Sequence, residues 1–433
     1  MRIAVFHPSL VSRGGSQRYA IETVRHLIRR GHKAKLFTAK YSPANCYPEL
    51  VKDISICSLY TSDHVTSHKN FLRAHWPWLY QALFASGVYV LIRFIKNCLL
   101  SRRVYSLIRQ QEKEAGVTYD VLYLHEVGAV NRFAKRFSAR GCKSFLFCYD
   151  TQDKFITWEI EGIRYPKIHT VISRRLSCFD VATVRRYIQK VFVLDGVMNS
   201  KAKECYGIQP AIIHGGVDLS VFHPESSCFL QNRYGLSPES LIISNVSRFV
   251  PYRRIHDIFE AFVLLPMELR SQIYVYVNAI DEDKVYFQKI MSQYAKHIYP
   301  QGRIIIDKQF PSSDTELASI YQSSSLFVFP NEWQTWGNAV LEAMACGRCV
   351  LVSDSCGIAE IIKQEENGLV YHCGDVGAMA KDIADLILNK KKRSRIGMSA
   401  AQHISAHFSW DVWTDKHLEY FNQSIAVDAL PIK

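Results

Sequence analysis

The chain has 433 residues, 48% hydrophobic and 21% charged. That length exceeds one ordinary domain, and that composition excludes disordered and collagen-like classes. The formal charge of +13 is unevenly placed: residues 1–200 hold 31 lysines and arginines against 14 acidic residues, and residues 201–433 hold 22 against 26. So basic a first half points to an anionic partner such as a membrane, a lipid phosphate or a nucleic acid, the alternative being a solvated face with none.

Short β-rich runs alternate with longer helical patterns, which predicts a parallel α/β architecture. In the first half a buried strand spans Arg2–Phe6, a turn falls at Gly14-Gly15 and a helix covers Ser16–Arg29. Further strands are expected at Ala34–Thr38, Val121–Leu124, Ser144–Cys148 and Val191–Leu194. In the second half strands are expected at Leu241–Ser247, Ile273–Val277, Ile304–Ile306, Leu326–Phe329 and Cys349–Ser353. Helices Ile255–Leu265, Lys284–His297, Asp314–Tyr321 and Asn338–Cys346 lie between them. The layout fits two doubly wound domains, residues 1–205 and 206–405, followed by a C-terminal helix in residues 406–433 packing back toward the first.

The opening run Ile3–Phe6 is too short for a secretory core. The twelve cysteines are therefore expected as free thiols in a reducing, cytoplasmic compartment. The pair Cys346 and Cys349 has CxxC spacing, but it falls between a helix and a strand with no second pair near, so it reads as structural. Asp281-Glu282-Asp283 spells the DxD of metal-dependent sugar transferases of another fold, and reads here as a solvated helix start. No metal site is expected.

Residues 76–92 hold only Gln81 and Ser86 as polar side chains, tyrosine hydroxyls aside, and Arg93, Lys96, Arg102 and Arg103 follow. Leu83, Phe84, Leu91, Phe94, Ile95 and Cys98 share one side of a helical wheel. Such a helix suits a bilayer interface, with packing on the domain core and a short membrane span as alternatives. The basic surplus in the same half favours an anionic membrane surface. No zinc finger or arginine-rich arm accompanies it, so nucleic acid is not expected as a partner.

Three places carry chemistry. Gly14-Gly15 brings backbone close to a bulky anion at the start of a helix, whose amides and positive dipole end face the same point. Arg248 and Arg253 follow the first strand of the second half, and two guanidiniums five residues apart can grip two phosphates. After strand Leu326–Phe329, a loop turns on Gly337 and a helix opens at Asn338; Glu342, just over a turn in, can accept hydrogen bonds from ribose hydroxyls.

These pieces, with Ile213–Asp218, Ser353–Ile362 and Glu366–Val370, resemble the retaining GT-B glycosyltransferases of the GT4 type. The resemblance implies two Rossmann-like domains facing a central cleft that binds a nucleotide sugar. Gly14 and Gly15 would approach the donor diphosphate, Arg248 and Arg253 would bind its phosphates, and Glu342 would bind ribose. The family's first paired glutamate falls at Gln334, an amide that can still hydrogen-bond the transferred sugar but lacks the charge; Glu332 is a candidate substitute. His125, at a strand end, matches the histidine that contacts the reacting sugar. Phe37–Cys46 is similar to lipid-linked-oligosaccharide mannosyltransferases, with a fainter echo in Cys148–Phe155.

The resemblance thus implies a retaining, metal-independent hexosyltransferase, with mannose suggested, that uses a GDP- or UDP-sugar as donor and no separate cofactor. Its acceptor would be a lipid-linked glycan or a polysaccharide, and the enzyme would sit peripherally on the cytoplasmic face of the membrane. Gln334 keeps open an alternative: a catalytically weak or inactive GT-B scaffold that binds a nucleotide sugar or a partner.

Overall fold

A computed structural model describes residues 1–63, 78–79, 83, 86, 88–125, 133–149, 159–160, 163–164, 167–280, 283–309, 311–332 and 336–429. The chain divides into two compact units, Met1–His214 with Trp413–Lys433, and Gly215–Val412.

The first unit is built on seven parallel strands: β1 (Arg2–Leu10), β2 (Lys33–Tyr41), β3 (Ile56–Thr61), β4 (Val121–His125), β5 (Lys143–Phe147), β6 (Ile188–Val193) and β7 (Ala211–Ile212). Their spatial order is β3-β2-β1-β4-β5-β6-β7. The second unit has six: β8 (Leu241–Arg248), β9 (Ile273–Ile280), β10 (Ile304–Asp307), β11 (Leu326–Phe329), β12 (Cys349–Ser353) and β13 (Leu369–Tyr371), in the order β10-β9-β8-β11-β12-β13. All pairings within both sheets are parallel. A parallel sheet covered on both faces needs continuous apolar strands, and Ile3–Phe6, Val121–Leu124 and Val350–Val352 are accordingly fully buried.

The order reverses between β1 and β4 in the first sheet and between β8 and β11 in the second. These are topological switch points, where open α/β sheets form a crevice beyond their carboxyl strand ends.

The apolar runs mark the strands' centres rather than their ends. β1 continues four residues past the expected Phe6 through His7, Pro8 and Ser9. Its pairing with β4 stops at Phe6↔Leu124, while that with β2 runs to Leu10↔Tyr41. Pro8, with no N–H to give, falls in the stretch bonded on one side only. The helix expected over Lys284–His297 ends at Gln293 and tightens into a 3-10 turn at Ala295–His297. Asp283 caps its start, accepting from the Tyr286 N–H at 2.8 Å; Asp281 and Glu282 lie outside the described residues.

Helix α1 (Gly15–Arg29) follows β1. Helix α2 (Val88–Ala115) changes character along its length. Its second half buries Ser101, Val104, Ile108 and Glu112, a spacing that lines one face. Its first half leaves Leu91, Ile92, Ile95 and Leu99 about half exposed. Helix α3 (Lys167–Tyr187) exposes Ile168, Val171 and Phe179 to the same degree, and Phe94 meets Phe179 at 6.0 Å between ring centroids. Packing on the core therefore does not account for Leu91, Ile92, Ile95 and Leu99. Most of residues 76–87 lie outside the described residues. Among the described residues no helix is long and apolar enough to cross a membrane.

In the second unit, Cys346 and Cys349 flank the turn between helix α4 (Asn338–Ala345) and β12. Both are buried, which pushes each thiol up to about 12. Gly347 takes a φ of +73° there. Arg348 donates to the carbonyls of Cys346, Gln322, Ser324 and Glu225, so the pair sits in a hydrogen-bonded turn.

Helix α5 (Trp410–Ala429) carries the chain into the first unit, where Trp413 is buried. Its indole N–H donates to Thr23 Oγ1 at 3.3 Å, and its ring lies 4.9 Å from both Tyr19 and Phe147. Phe421 lies 4.6 Å from Phe145, and Arg30 grips Asp415 through two 2.8 Å bonds at the surface. Trp413→Ala should lower unfolding stability by about 3–5 kcal/mol, the usual cost of emptying a large aromatic site. Arg30→Ala, which removes an exposed ion pair, should cost under about 1 kcal/mol. Urea denaturation of the two variants checks both.

Candidate functional site

The structure brings Gly14, Gly15 and His125 to the switch point of the first sheet. Gly14 is the N-cap of α1, in an extended conformation and with no side-chain cap, so the helix start offers backbone alone. The loop before it is held by polar groups. The Ser9 N–H donates to His7 Nδ1 at 3.2 Å, which leaves His7 Nε2 to donate to Ser16 Oγ at 3.2 Å. Tyr47 donates to the Gly14 carbonyl at 3.3 Å. Arg13, paired with Glu49 at 2.9 Å, and buried Arg18 flank the Tyr47 ring. The neighbourhood of the two glycines is therefore cationic as well as rich in amides.

His125 ends β4, the strand beside β1, and is fully buried. Its Nδ1 lies 2.6 Å from the Tyr149 hydroxyl, which in turn lies 3.5 Å from the Ser16 carbonyl. With Tyr149 donating to Ser16, Nδ1–H donates to Tyr149 and Nε2 is left as an acceptor. That Nε2 has no hydrogen-bond partner among the described residues. Burial, aided by His7 and His417, holds the imidazole well below the usual histidine range and therefore neutral. Sequence reasoning missed Tyr149: it follows β5, and nothing in the sequence says that it reaches β4.

The second switch point collects the remaining residues. Arg248 closes β8, is exposed, and donates to Tyr252 Oη at 3.2 Å. The chain then tightens into a 3-10 turn, Pro251–Arg253, and Arg254 takes a left-handed φ of +49°. Arg254 is committed to the buried carboxylate of Asp257 by bonds of 2.7 and 3.2 Å. The Arg253 guanidinium lies 5.2 Å from the Tyr252 ring centre. The buried Asn331, its amide oriented to satisfy both partners, donates to the Arg253 carbonyl at 3.2 Å and accepts from Arg253 Nη1 at 2.5 Å. Neither Arg254 nor Asn331 stood out in the sequence, although Arg254 and Asp257 have the i, i+3 spacing of a helical ion pair.

Past β11 the chain reaches Gly337, N-cap of α4, again with no side-chain cap. A Cβ there would come within 3.3 Å of Ile358, Phe329 and Val340, so the position takes nothing larger than glycine without displacement. Asn338 begins α4, and Glu342 lies one turn on, 9% exposed, accepting from Tyr321 Oη at 2.9 Å. Gln334 lies outside the described residues. Glu332 is exposed, its N–H donating to the Tyr252 carbonyl at 2.9 Å and its carboxylate 3.8 Å from Arg254. One switch point thus holds glycines, capless helix amides and a neutral histidine; the other holds arginines, a second capless helix and a buried carboxylate. The second set can hold two phosphates and a diol.

Residues 229–403, wholly within the second unit, match the family described as Glycosyl transferases group 1. N-acetyl-alpha-D-glucosaminyl L-malate synthase of Bacillus anthracis is 23% identical over 196 residues, 45% of this chain and 49% of its own length. D-inositol 3-phosphate glycosyltransferase of Mycobacterium tuberculosis (strain F11) is 25% identical over 224 residues, 51% of this chain and 45% of its own. The chain spans about half the length of the curated relatives it matches. Among solved structures, sucrose-phosphate synthase from Thermosynechococcus elongatus superposes with a TM-score of 0.72 at 16% identity, over 98% of this chain and 99% of that one. Anabaena Alr3699/HepE in complex with UDP gives 0.70 at 16% identity, over 99% and 100%. These likenesses show the fold: two Rossmann-like α/β units of the GT-B type.

A pH dependence follows from the buried imidazoles. His125 is held neutral, and His417, buried in α5 and bonded through Nδ1 to the Trp413 carbonyl at 2.7 Å, is pushed down to about 3. Unfolded histidines take up protons below pH ~6.5. The unfolded state then binds more protons than the folded one, so stability is complete above pH ~6.5 and falls as pH falls below it. The slope should approach about 1.4 kcal/mol per pH unit for each such histidine. Denaturant titrations between pH 4 and 8 measure it, and His417→Asn should flatten it.

Proposed function

We propose that the chain is a glycosyltransferase that takes a hexose from a nucleotide sugar and passes it to a lipid-linked or polysaccharide acceptor at a membrane surface. The observation that carries this reading is the second switch point. Arg248, Arg253 and the capless start of α4 stand at adjoining strand ends, with Glu342 one helical turn away. That is a charge pattern for a nucleoside diphosphate: cations and amides for the phosphates, a carboxylate for the ribose hydroxyls. The group 1 match over the same residues and the UDP named with the HepE structure support it.

In this reading the reaction breaks the bond between the sugar's anomeric carbon and the diphosphate oxygen. Negative charge grows on that oxygen, and Arg248, Arg253 and the helix amides stabilise it with no metal required. Neutral His125 uses Nε2 to accept from a hydroxyl of the transferred sugar, so it orients and does not exchange a proton. The acceptor hydroxyl attacks from the face the diphosphate is leaving, the departing phosphate takes its proton, and configuration is retained. The likeness to mannosyltransferases around Phe37–Cys46 favours mannose as the transferred sugar.

The membrane part rests on α2 and α3. Their exposed Leu91, Ile95, Leu99, Ile168, Val171 and Phe179 stand among the exposed cations Lys96, Arg102, Arg103, Arg174 and Arg175. Apolar side chains within a basic field match an anionic bilayer surface. A second reading, a scaffold that binds the nucleotide sugar without turnover, is favoured by one feature: Gln334 stands where the resembled family has a glutamate.

Nucleoside diphosphate release from a panel of GDP- and UDP-sugars, with and without a polyprenyl-diphosphate glycan, tests the proposal. Acceptor-dependent release with one donor, unchanged by EDTA, is expected. Glu342→Ala should cut kcat/KM at least tenfold by removing the ribose contact. Nucleotide binding without release, and release gained by Gln334→Glu, would move the protein to the scaffold reading. Leu91→Asp with Ile95→Asp should abolish sedimentation with phosphatidylserine vesicles while leaving nucleotide affinity intact.

A further inference from the structure

Asn331 occupies an unusual place in the second unit. It lies two residues past β11, is fully buried, and ties together segments that leave four neighbouring strands. Its carbonyl accepts from Ser353 Oγ at the end of β12, from Cys356 Sγ at 3.5 Å in the loop that follows, and from Cys373 Sγ at 3.9 Å just past β13. Burial pushes the Cys356 thiol up to about 12 and the Cys373 thiol upward as well, so both stay protonated as donors. Its side-chain amide meets Arg253, in the turn after β8, at two points: the carbonyl at 3.2 Å and Nη1 at 2.5 Å. Three donors thus hold the backbone of Asn331 while its amide holds both the backbone and the guanidinium of Arg253.

An arginine on a short turn loses several rotatable bonds when it grips a phosphate, and each side chain fixed in advance reduces that ordering cost. Asn331 supplies the fixing. It is uncharged, so it orients the guanidinium without neutralising it, which a carboxylate would do. Arg254 shows the contrast, since the charged carboxylate of Asp257 binds it through Nε and Nη2.

We propose that Asn331 is a positioning residue that holds Arg253 in place for the diphosphate of the donor, with Ser353, Cys356 and Cys373 anchoring its carbonyl. The proposal rests on the reading of Arg253 as a phosphate ligand. It extends the site from the phosphate-binding turn to the ends of β12 and β13.

A double-mutant cycle tests it, with UDP and GDP as the titrants and calorimetry as the readout. Arg253→Ala and Asn331→Ala are each expected to weaken the better-bound nucleotide about tenfold. The double variant should bind within about twofold of Arg253→Ala, because Asn331 acts only through the guanidinium. The phosphorus-31 resonance of the bound β-phosphate, displaced in Arg253→Ala, should be displaced in the same direction in Asn331→Ala. Wild-type affinity in Asn331→Ala overturns the proposal, and so does a double variant whose losses multiply in full. Wild-type affinity in Arg253→Ala is a different failure, since it removes Arg253 from the phosphate site and the reading beneath the proposal with it. If Asn331→Ala lacks a cooperative melting transition, the same cycle run with Asn331→Ser decides the question by the same outcomes.

Discussion

Parallel strands whose order reverses at one point cannot cover both sides of that point with helices. The crossover leaving β1 and the one leaving β4 go to opposite faces, and a crevice remains at their carboxyl ends. The same holds for β8 and β11. Among the described residues, the candidate site residues gather around those two gaps. Gly14, Gly15 and His125 stand at the first, and Arg248, Arg253, Asn331 and the start of α4 at the second. The strands themselves carry no functional side chain until their last residue. Their centres are mostly apolar because both faces are covered, with Thr38, Ser144, Ser244, Asn245 and Asn278 as buried polar exceptions.

The two gaps are finished differently. In the first unit, rings crowd around the strand ends: Tyr19, Phe147, Tyr149, His125, Trp413 and His417 all lie within 6 Å of a neighbouring ring. Low polarity there keeps both histidines uncharged, while Arg13 and Arg18 beside Tyr47 leave the glycine turn cationic. In the second unit Arg248, Arg253 and Arg254 lie at and just past the end of β8; Asp257 binds Arg254 with a charged carboxylate, and Asn331 holds Arg253 with an uncharged amide. Asn331 matters because a positive group is useful only when it is both oriented and still charged.

Helix α2 shows how one element serves core and surface. From Ser101 onward its buried residues recur at intervals of three and four and pack on the sheet. Before that point Leu91, Ile92, Ile95 and Leu99 are about half exposed, as are Ile168, Val171 and Phe179 of α3. Burial in the protein and burial in a lipid interface make the same demand on side-chain chemistry, so composition alone does not distinguish them.

Much of this was legible from the chain alone. Apolar runs of strand length, helical spacing between them, and glycines or arginines placed directly after strands were enough for two doubly wound units and for Gly14, Arg248 and Glu342 as places to look. These are local signals, set by residues close in sequence. Strand ends were less legible, as β1 shows, because the pairing that carries a strand past its apolar run belongs to the neighbour. What only the tertiary structure decided was partnership across distance. Tyr149 meets His125, Trp413 enters a unit it lies hundreds of residues from, and Asn331 meets Arg253 along with Ser353, Cys356 and Cys373. None has a sequence signature, because a hydrogen bond between residues on different strands depends on sheet order. Sheet order is fixed by the packing of the whole unit and by no single stretch of chain.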